Sequence, residues 1–409
     1  MSRAWSDFRS TSPSLTLNLI AAGKAADAMA AAILESEADR ISSGIIVVPS
    51  GSAGTLGRPA ARGVEVIEAG HPIPDTGSQR AGVRALEIAA NTPSDQCLVV
   101  LISGGASALL AAPAEGITLE DKQILTRVLL QAGADIYALN TVRKHLSCVK
   151  GGLLAAACPG QTHTLAISDV VGDTPSALAS GPTVADPTSF HDALKVVVDH
   201  GVRDRMPASI LRYLELGTRG ERPETPKPRD PRLARSAFRL VGHARDAVDG
   251  ARSAATSLGY AVAIWTDAVV GEARDAARAH IDDAAGRLRD MPRPACILSS
   301  GETTVTVKGS GRGGRNQEFA LACVQRMGSL GAAALVASVG TDGVDGPTDA
   351  AGAIADTSTF HRAGCAGLGT PDSFLERNDA FSFFAALGDL VRTGPTGTNV
   401  GDLQIVLVA

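Results

Sequence analysis

The stretch C-L-V-V-L-I-S-G-G-A-S-A-L-L, residues 97–110, decides the fold. Its first six residues are apolar without alternation. That pattern marks a strand covered on both faces, as in a parallel sheet whose crossovers lay helices on each side. Ser103, Gly104, Gly105 and Ser107 follow, and then a helical run. A strand that ends in a small-residue turn and passes into a helix is the unit of a parallel α/β sheet, whose ligands lie at the carboxyl ends of the strands. Hydroxyls flank both glycines, so the turn suits a phosphate although it is not a Walker A sequence.

The same alternation extends outward. Strands are predicted at 15–21, 44–49, 64–69, 164–168, 238–241, 261–265, 296–299, 303–308, 333–338 and 403–408. Helices are predicted at 25–36, 119–131, 244–257, 272–289 and 317–326. The segment E-R-P-E-T-P-K-P-R-D-P-R, residues 221–232, carries four prolines and many charges and can build neither core nor ladder. It divides the chain into an α/β domain at 1–228 and a second at 229–409, and an active site between two such halves is the natural prior.

Composition narrows the partners. The chain has 409 residues, and 38 Lys plus Arg against 43 Asp plus Glu leave a net charge of −5, with no broad footprint for nucleic acid or an anionic membrane. No run approaches the roughly 20 apolar residues of a membrane span. The six cysteines form no C-x-x-C pair and read as free thiols in a reducing compartment. A cytoplasmic protein is expected.

Cations and carboxylates gather beside the glycines. Lys24 follows Gly23 at the end of the first strand, where an ammonium beside backbone N–H groups suits an anion. The run N-T-V-R-K-H-L-S-C-V-K, 140–150, reads as one helix, with Arg143 and Lys150 on a shared face. Asn140 and Arg143 suit a carboxylate or phosphate. Asp169 and Asp173 follow another strand and could hold magnesium or accept a hydroxyl proton. Gly309, Gly311 and Gly314 satisfy G-x-G-x-x-G, which raises a dinucleotide site. Lys308, Arg312 and Arg315 crowd that loop, more cations than a pyrophosphate needs, and favour a triphosphate or phosphoryl transfer. Asp342, Asp345 and Asp349 follow a later strand without the EF-hand pattern, and 393–402 is a hydroxyl- and Gly-rich loop.

Taken in order, G-K-A-A, H-P-I-P-D, S-G-G-A-S-A-L-L, N-T-V-R-K-H-L-S, S-D-V-V-G-D-T-P, A-S-G-P-T-V-A-D-P-T, G-E-T-T-V-T-V, G-R-G-G-R-N-Q-E and T-G-P-T-G-T-N-V resemble the class II (MOFRL-type) glycerate 2-kinases from about Ala21 to the C-terminus. Ser300 departs from the pattern, standing where that family more often has a second Gly. The resemblance implies a Rossmann-like N-terminal domain with a mostly parallel sheet, a second α/β domain with the MOFRL-type region at about 295–405, and an active site in the inter-domain cleft. It implies phosphorylation of D-glycerate by ATP with Mg²⁺, giving 2-phosphoglycerate. The family's functional Lys and Arg fall on Lys24 and Arg315.

The expected site is therefore Lys24, Arg315 and Asp169 for catalysis. Ser103, Gly104, Gly105, Ser107, Gly309, Gly311, Gly313 and Gly314 would cover the nucleotide, Arg143, Asn140, Glu302 and Asn316 the substrate, and Asp173 and Asp342 the metal. The expected partners are ATP, glycerate and a second copy of the chain in a homodimer. The rivals are phosphorylation at the 3-hydroxyl, an NAD(P)-dependent hydroxypyruvate reductase resting on the G-x-G-x-x-G match, and a non-catalytic nucleotide-binding module.

Overall fold

A computed structural model describes Trp5, Phe8 and residues 15–52, 63–331 and 333–409. Contacts divide it into two units, one of residues 1–168 and 172–242, the other of 169–171 and 243–409. The division falls after Gly242, later than the proline-rich segment. That segment is tied to unit 1, where Glu224 lies 2.9 Å from His145 and the Thr225 hydroxyl donates to Asp186 at 3.1 Å.

Unit 1 is built on six strands, β1 (Leu17–Ala22), β2 (Ile41–Pro49), β3 (Val64–Ala69), β4 (Cys97–Ile102), β5 (Gln161–Ile167) and β6 (Ser236–Gly242). They lie in the order β3-β2-β1-β4-β5-β6, all parallel. This is the doubly wound order, with its reversal between β1 and β4, where a crevice opens beyond the strand ends. Every residue of β1 and β4 is buried, β4 as an unbroken apolar run and β1 apolar but for Asn18, whose Nδ2 donates to Gln96 Oε1 at 3.0 Å. After β4 the chain adds helices α1 (Leu119–Gln131), α2 (Ile136–His145), α3 (Phe190–Asp199) and α4 (Ala208–Thr218), which share one apolar core around Leu125, Leu139, Phe190 and Leu214.

Unit 2 holds β7 (Ala261–Ile264), β8 (Val269–Glu272), β9 (Ala295–Thr304), β10 (Ala334–Gly340), β11 (Gly352–Asp356), β12 (Leu390–Val391) and β13 (Asp402–Val408). Seven strands form a mixed sheet in the order β12-β11-β10-β13-β9-β7, with β8 paired to β9 off that path. Here the expectation of parallel pairing is corrected. Helix α5 (Arg315–Cys323) follows β9 and leads to β10 as in a parallel crossover, but the last strand, β13, runs antiparallel between them. The predicted strands 296–299 and 303–308 also change, merging into β9, which ends at Thr304. Phe319, Phe383 and Phe384 fill the core of this unit. All six cysteines are free thiols, Cys97, Cys296 and Cys323 among the buried ones. Among the described residues no helix is long and apolar enough to cross a membrane.

Candidate active site

The two turns at the β1/β4 reversal are braced against each other. Ser103 N–H donates to Ala22 O at 3.0 Å, Lys24 N–H to Gly104 O at 2.9 Å, and Ala25 N–H to Ser103 Oγ at 2.9 Å. Gly23 sits at φ +126°, and a Cβ there would lie 2.2 Å from Ser103 Oγ, so only glycine lets the turns close. The Lys24 side chain is exposed at this junction. The N–H groups of Gly104, Gly105 and Ser107 donate to no acceptor among the described residues. Such inward-open amides are what an anion cradle requires.

Beneath this turn the polar groups are committed. Lys150 Nζ donates to Ser107 O and Ser107 Oγ at 2.7 and 2.9 Å, and the Ser107 and Ser180 hydroxyls lie 2.8 Å apart. Ser180 Oγ donates to Asn140 Oδ1 at 2.8 Å, and Asn140 Nδ2 to Ala177 O at 3.1 Å. Asn140, expected at the substrate, thus spends both ends of its amide on protein. Arg143 reaches Thr126 Oγ1 at 3.3 Å. The helix predicted through Lys150 ends at His145, and Gly151 and Gly152, at φ +58° and +84°, turn the chain.

The second glycine-rich turn behaves differently. Lys308 and Gly309 N–H both donate to Asn378 Oδ1, at 2.7 and 2.9 Å. Gly311 N–H goes to Arg377 O at 2.9 Å and Arg312 N–H to Asp379 Oδ1 at 3.1 Å. A Cβ at Gly309, Gly311 or Gly314 would lie 2.3, 2.4 or 2.3 Å from Arg377, Asp379 or Asp345, whereas Gly313 has nothing closer than 3.4 Å. These glycines are explained by close approach to the protein's own chain, and four amides of the loop are already spent.

Arg315 opens α5 and is held by a fork. Its Nε donates to Asp402 Oδ2 at 2.7 Å, Nη2 to Asp402 Oδ1 at 2.9 Å and Nη1 to Glu302 Oε1 at 2.8 Å. Burial would depress the guanidinium, but Asp402, Glu302 and Asp345 outweigh it and hold the group above its ordinary range. Asp345 accepts from Asn316 N–H at 3.1 Å and Gln317 N–H at 2.8 Å at the positive end of the same helix. Burial, with Asp402 adding to it, still pushes Asp345 up to about 6. Asn316 donates to Asp402 at 3.0 Å and accepts from Ser338 at 2.6 Å, so it orders the carboxylates while buried. Burial also raises Glu302, with Asp169 and Asp402 adding to it against Arg315. Asp169 receives Asn399 Nδ2 at 2.9 Å. Sequence reasoning missed Asp402, Asn399 and the capping role of Asp345.

Of the expected metal ligands, Asp173 lies in unit 1 at φ +49°, and Asp342 lies in unit 2, where it accepts from Val344 N–H at 3.1 Å. Among the described residues no three His, Cys, Asp or Glu side chains gather closely enough to hold a metal alone. Around Arg315, however, three carboxylates (Glu302, Asp345 and Asp402) act on one guanidinium, and Asp169 adds its charge beside Glu302. That excess fits a divalent cation completed by substrate phosphates, the usual manner of magnesium.

Two family models and several known proteins match the chain. A model described as a domain of unknown function (DUF4147) matches residues 6–215, and the MOFRL family matches 295–402. A glycerate 2-kinase of Pyrococcus horikoshii is 41% identical over 394 residues, covering 95% of this chain and 87% of that protein. An Agrobacterium vitis protein named putative hydroxypyruvate reductase is 42% identical over 397 residues, covering 95% of this chain and 86% of its own length. The crystal structure of a glycerate kinase from Thermotoga maritima matches with a TM-score of 0.85 at 37% identity, covering 100% of this chain and 95% of its own.

Proposed function

The chain belongs to the MOFRL-type glycerate kinase family, and from that membership we propose that it transfers the γ-phosphoryl group of ATP to the 2-hydroxyl of D-glycerate, releasing ADP and 2-phosphoglycerate. The observation that carries this reading is the turn at the β1/β4 reversal, where Lys24 and the open amides of Gly104, Gly105 and Ser107 stand together. Open N–H groups at the switch point, next to a turn that carries an exposed lysine, suit a phosphate.

Phosphoryl transfer asks a protein mainly for positioning and charge neutralisation. Lys24 supplies a positive charge to the phosphoryl oxygens. Arg315 supplies a second, and its fork to Asp402 and Glu302 fixes the guanidinium before substrate arrives. Asp169, aligned by Asn399, orients the attacking hydroxyl and receives its proton as the new P–O bond forms and the bond to ADP breaks. Glu302 would hold magnesium together with the nucleotide phosphates, and the ion when bound neutralises their charge. Arg143 contributes to holding the acid.

The reductase reading needs a dinucleotide pyrophosphate on the 309–314 loop. The amides of Lys308, Gly309, Gly311 and Arg312 already donate to 377–379, which argues against it. The test pairs ADP formation from ATP and D-glycerate with NADH loss on hydroxypyruvate. ADP release that depends on glycerate is expected, with the product identified as 2- rather than 3-phosphoglycerate by phosphorus NMR. NADH oxidation without ADP formation would reverse the assignment.

A further inference from the structure

Three cations meet inside unit 1 without an acid to balance them. Lys122 of α1 and Lys150 after α2 are 5% and 3% exposed, and Arg143 of α2 is half-buried beside them. They line a common cavity of about 20 Å³ with the hydroxyl-bearing Ser107 and Thr126, and its remaining walls are proline and alanine. No carboxylate lines it, and none lies within ion-pair distance of these three groups among the described residues. Their polar contacts are all neutral: Lys122 Nζ donates to Leu146 O at 3.2 Å, Arg143 to Thr126 Oγ1 at 3.3 Å, and Lys150 to Ser107 at 2.7 and 2.9 Å.

Buried charges are ordinarily paired, because an unpaired one loses its hydration with nothing in return. Here burial, and after it the neighbouring Arg143, pushes Lys122 down to about 7, and burial with both other cations lowers Lys150 well below its ordinary value. The acid-type group that faces Lys122 is the Cys148 thiol, which burial raises and keeps protonated. Elsewhere in this unit a buried lysine is matched: Lys144 Nζ donates to the fully buried Asp186 at 3.2 Å. A cluster that lacks such a partner gives up protons to burial, and an anion brought beside it would restore its full charge. The cavity has room for about one or two oxygen-sized atoms. That suits the end of a small anion and excludes a ring or a chain.

We propose that Lys122, Arg143 and Lys150 form a site for a single oxyanion group, the carboxylate of the hydroxy acid or a phosphate, that enters past Ser107. Which of the two it takes deepens the kinase reading and rests on it, whereas the oxyanion site itself does not. Lys122 and Lys150 thereby join Arg143 as specificity-determining residues, and a neutral analogue of the acid is rejected because it leaves the cations unbalanced.

The test is calorimetric binding, without nucleotide or turnover, of D-glycerate, inorganic phosphate and neutral glycerol, each to the wild type, Lys122→Met and Arg143→Gln. Lys122→Met should fold, because Leu146 O keeps a second donor, Ala114 N–H at 3.1 Å, and an unbalanced charge leaves the interior. Binding of at least one anion should weaken on the order of tenfold or more in both variants, as expected for a lost charge-assisted bond. Glycerol should not bind. Loss confined to glycerate identifies the carboxylate and loss confined to phosphate identifies the phosphoryl end. Anion binding in this form by a protein that releases no ADP would sink the kinase reading and leave this site standing. No anion binding to the wild type, or wild-type affinity for both anions in both variants, overturns the site. Should Lys122→Met fail to fold, Arg143→Gln decides alone.

Discussion

Asp402→Asn tests whether Arg315 acts as a preset cation. The substitution keeps the shape of a fully buried side chain and removes its charge. In the wild type the guanidinium lies on both Asp402 oxygens, at 2.7 and 2.9 Å. Asparagine offers one acceptor, and its NH₂ faces a guanidinium N–H. A hydrogen bond to a charged group is worth about 1.5–3 kcal/mol, so losing one arm should let Arg315 drift. If that energy is spent on holding the transition state, kcat falls roughly tenfold to hundredfold. Stability should fall less, because Asp345 and Glu302, both raised in part by Asp402, are relieved of a neighbouring charge. A net loss of roughly 1–2 kcal/mol is expected, which lowers Tm by about 2–8 °C in a unit of this size. The assay is steady-state ADP release with D-glycerate beside thermal unfolding. Asp349→Asn serves as control, since that exposed carboxylate pairs with Arg392 at 3.0 Å at the surface and should change neither reading. Full turnover in Asp402→Asn, or an equal loss in the control, would refute the reasoning.

The glycines of the second loop should separate by what surrounds them. Gly311→Ala, with Asp379 at 2.4 Å, should lower the denaturant midpoint by an amount worth several kcal/mol, while Gly313→Ala, with nothing inside 3.4 Å, should cost no more than about 1 kcal/mol. Lys24→Ala removes an exposed side chain, so stability should stay within about 0.5 kcal/mol while turnover drops by roughly two orders of magnitude or more. Wild-type activity in that variant ends its assignment to the phosphoryl group. Burial holds His280 down to about 4, against 6.5 for the free side chain, with its ring 4.6 Å from Trp265. A depressed histidine contributes stability that is complete above about pH 6.5 and is lost as pH falls toward about 4, a span of about 3 kcal/mol. Urea midpoints of the wild type should follow that slope, and His280→Gln should flatten it.

Unit 1 is legible from its sequence because its signals are local. Its central strands are mostly apolar (β4 without a break, β1 but for Asn18), each turn carries its own small residues, and parallel strands need a crossover that the alternation itself displays. The mixed sheet of unit 2 is not legible in this way. Strand β13 enters between β9 and β10 from the far end of the chain, and nothing within residues 402–408 specifies partners at 295–301 and 334–340. The same distinction separates the site residues. Lys24 and Ser103 announce themselves through adjacent glycines, whereas the fork on Arg315 comes from Asp402, 87 residues away. Lys122 has the appearance of any lysine on an amphipathic helix until α2 folds over it.

Two turns of similar composition show why a glycine pattern alone does not identify a ligand. At 309–314 the glycines serve close packing, and the amides are spent on 377–379. At 103–107 the amides of Gly104, Gly105 and Ser107 stay open, and among the described residues the nearby buried cations have no acid beside them. Around Arg315 the imbalance runs the other way, with carboxylates in excess. An interior that leaves charge of one sign unbalanced destabilises itself, and it persists where a ligand of the opposite sign restores the balance. The two imbalances are what the proposed ligands would each offset, an anionic group in unit 1 and a cation accompanied by phosphate in unit 2. A kinase acting on a small acid requires both.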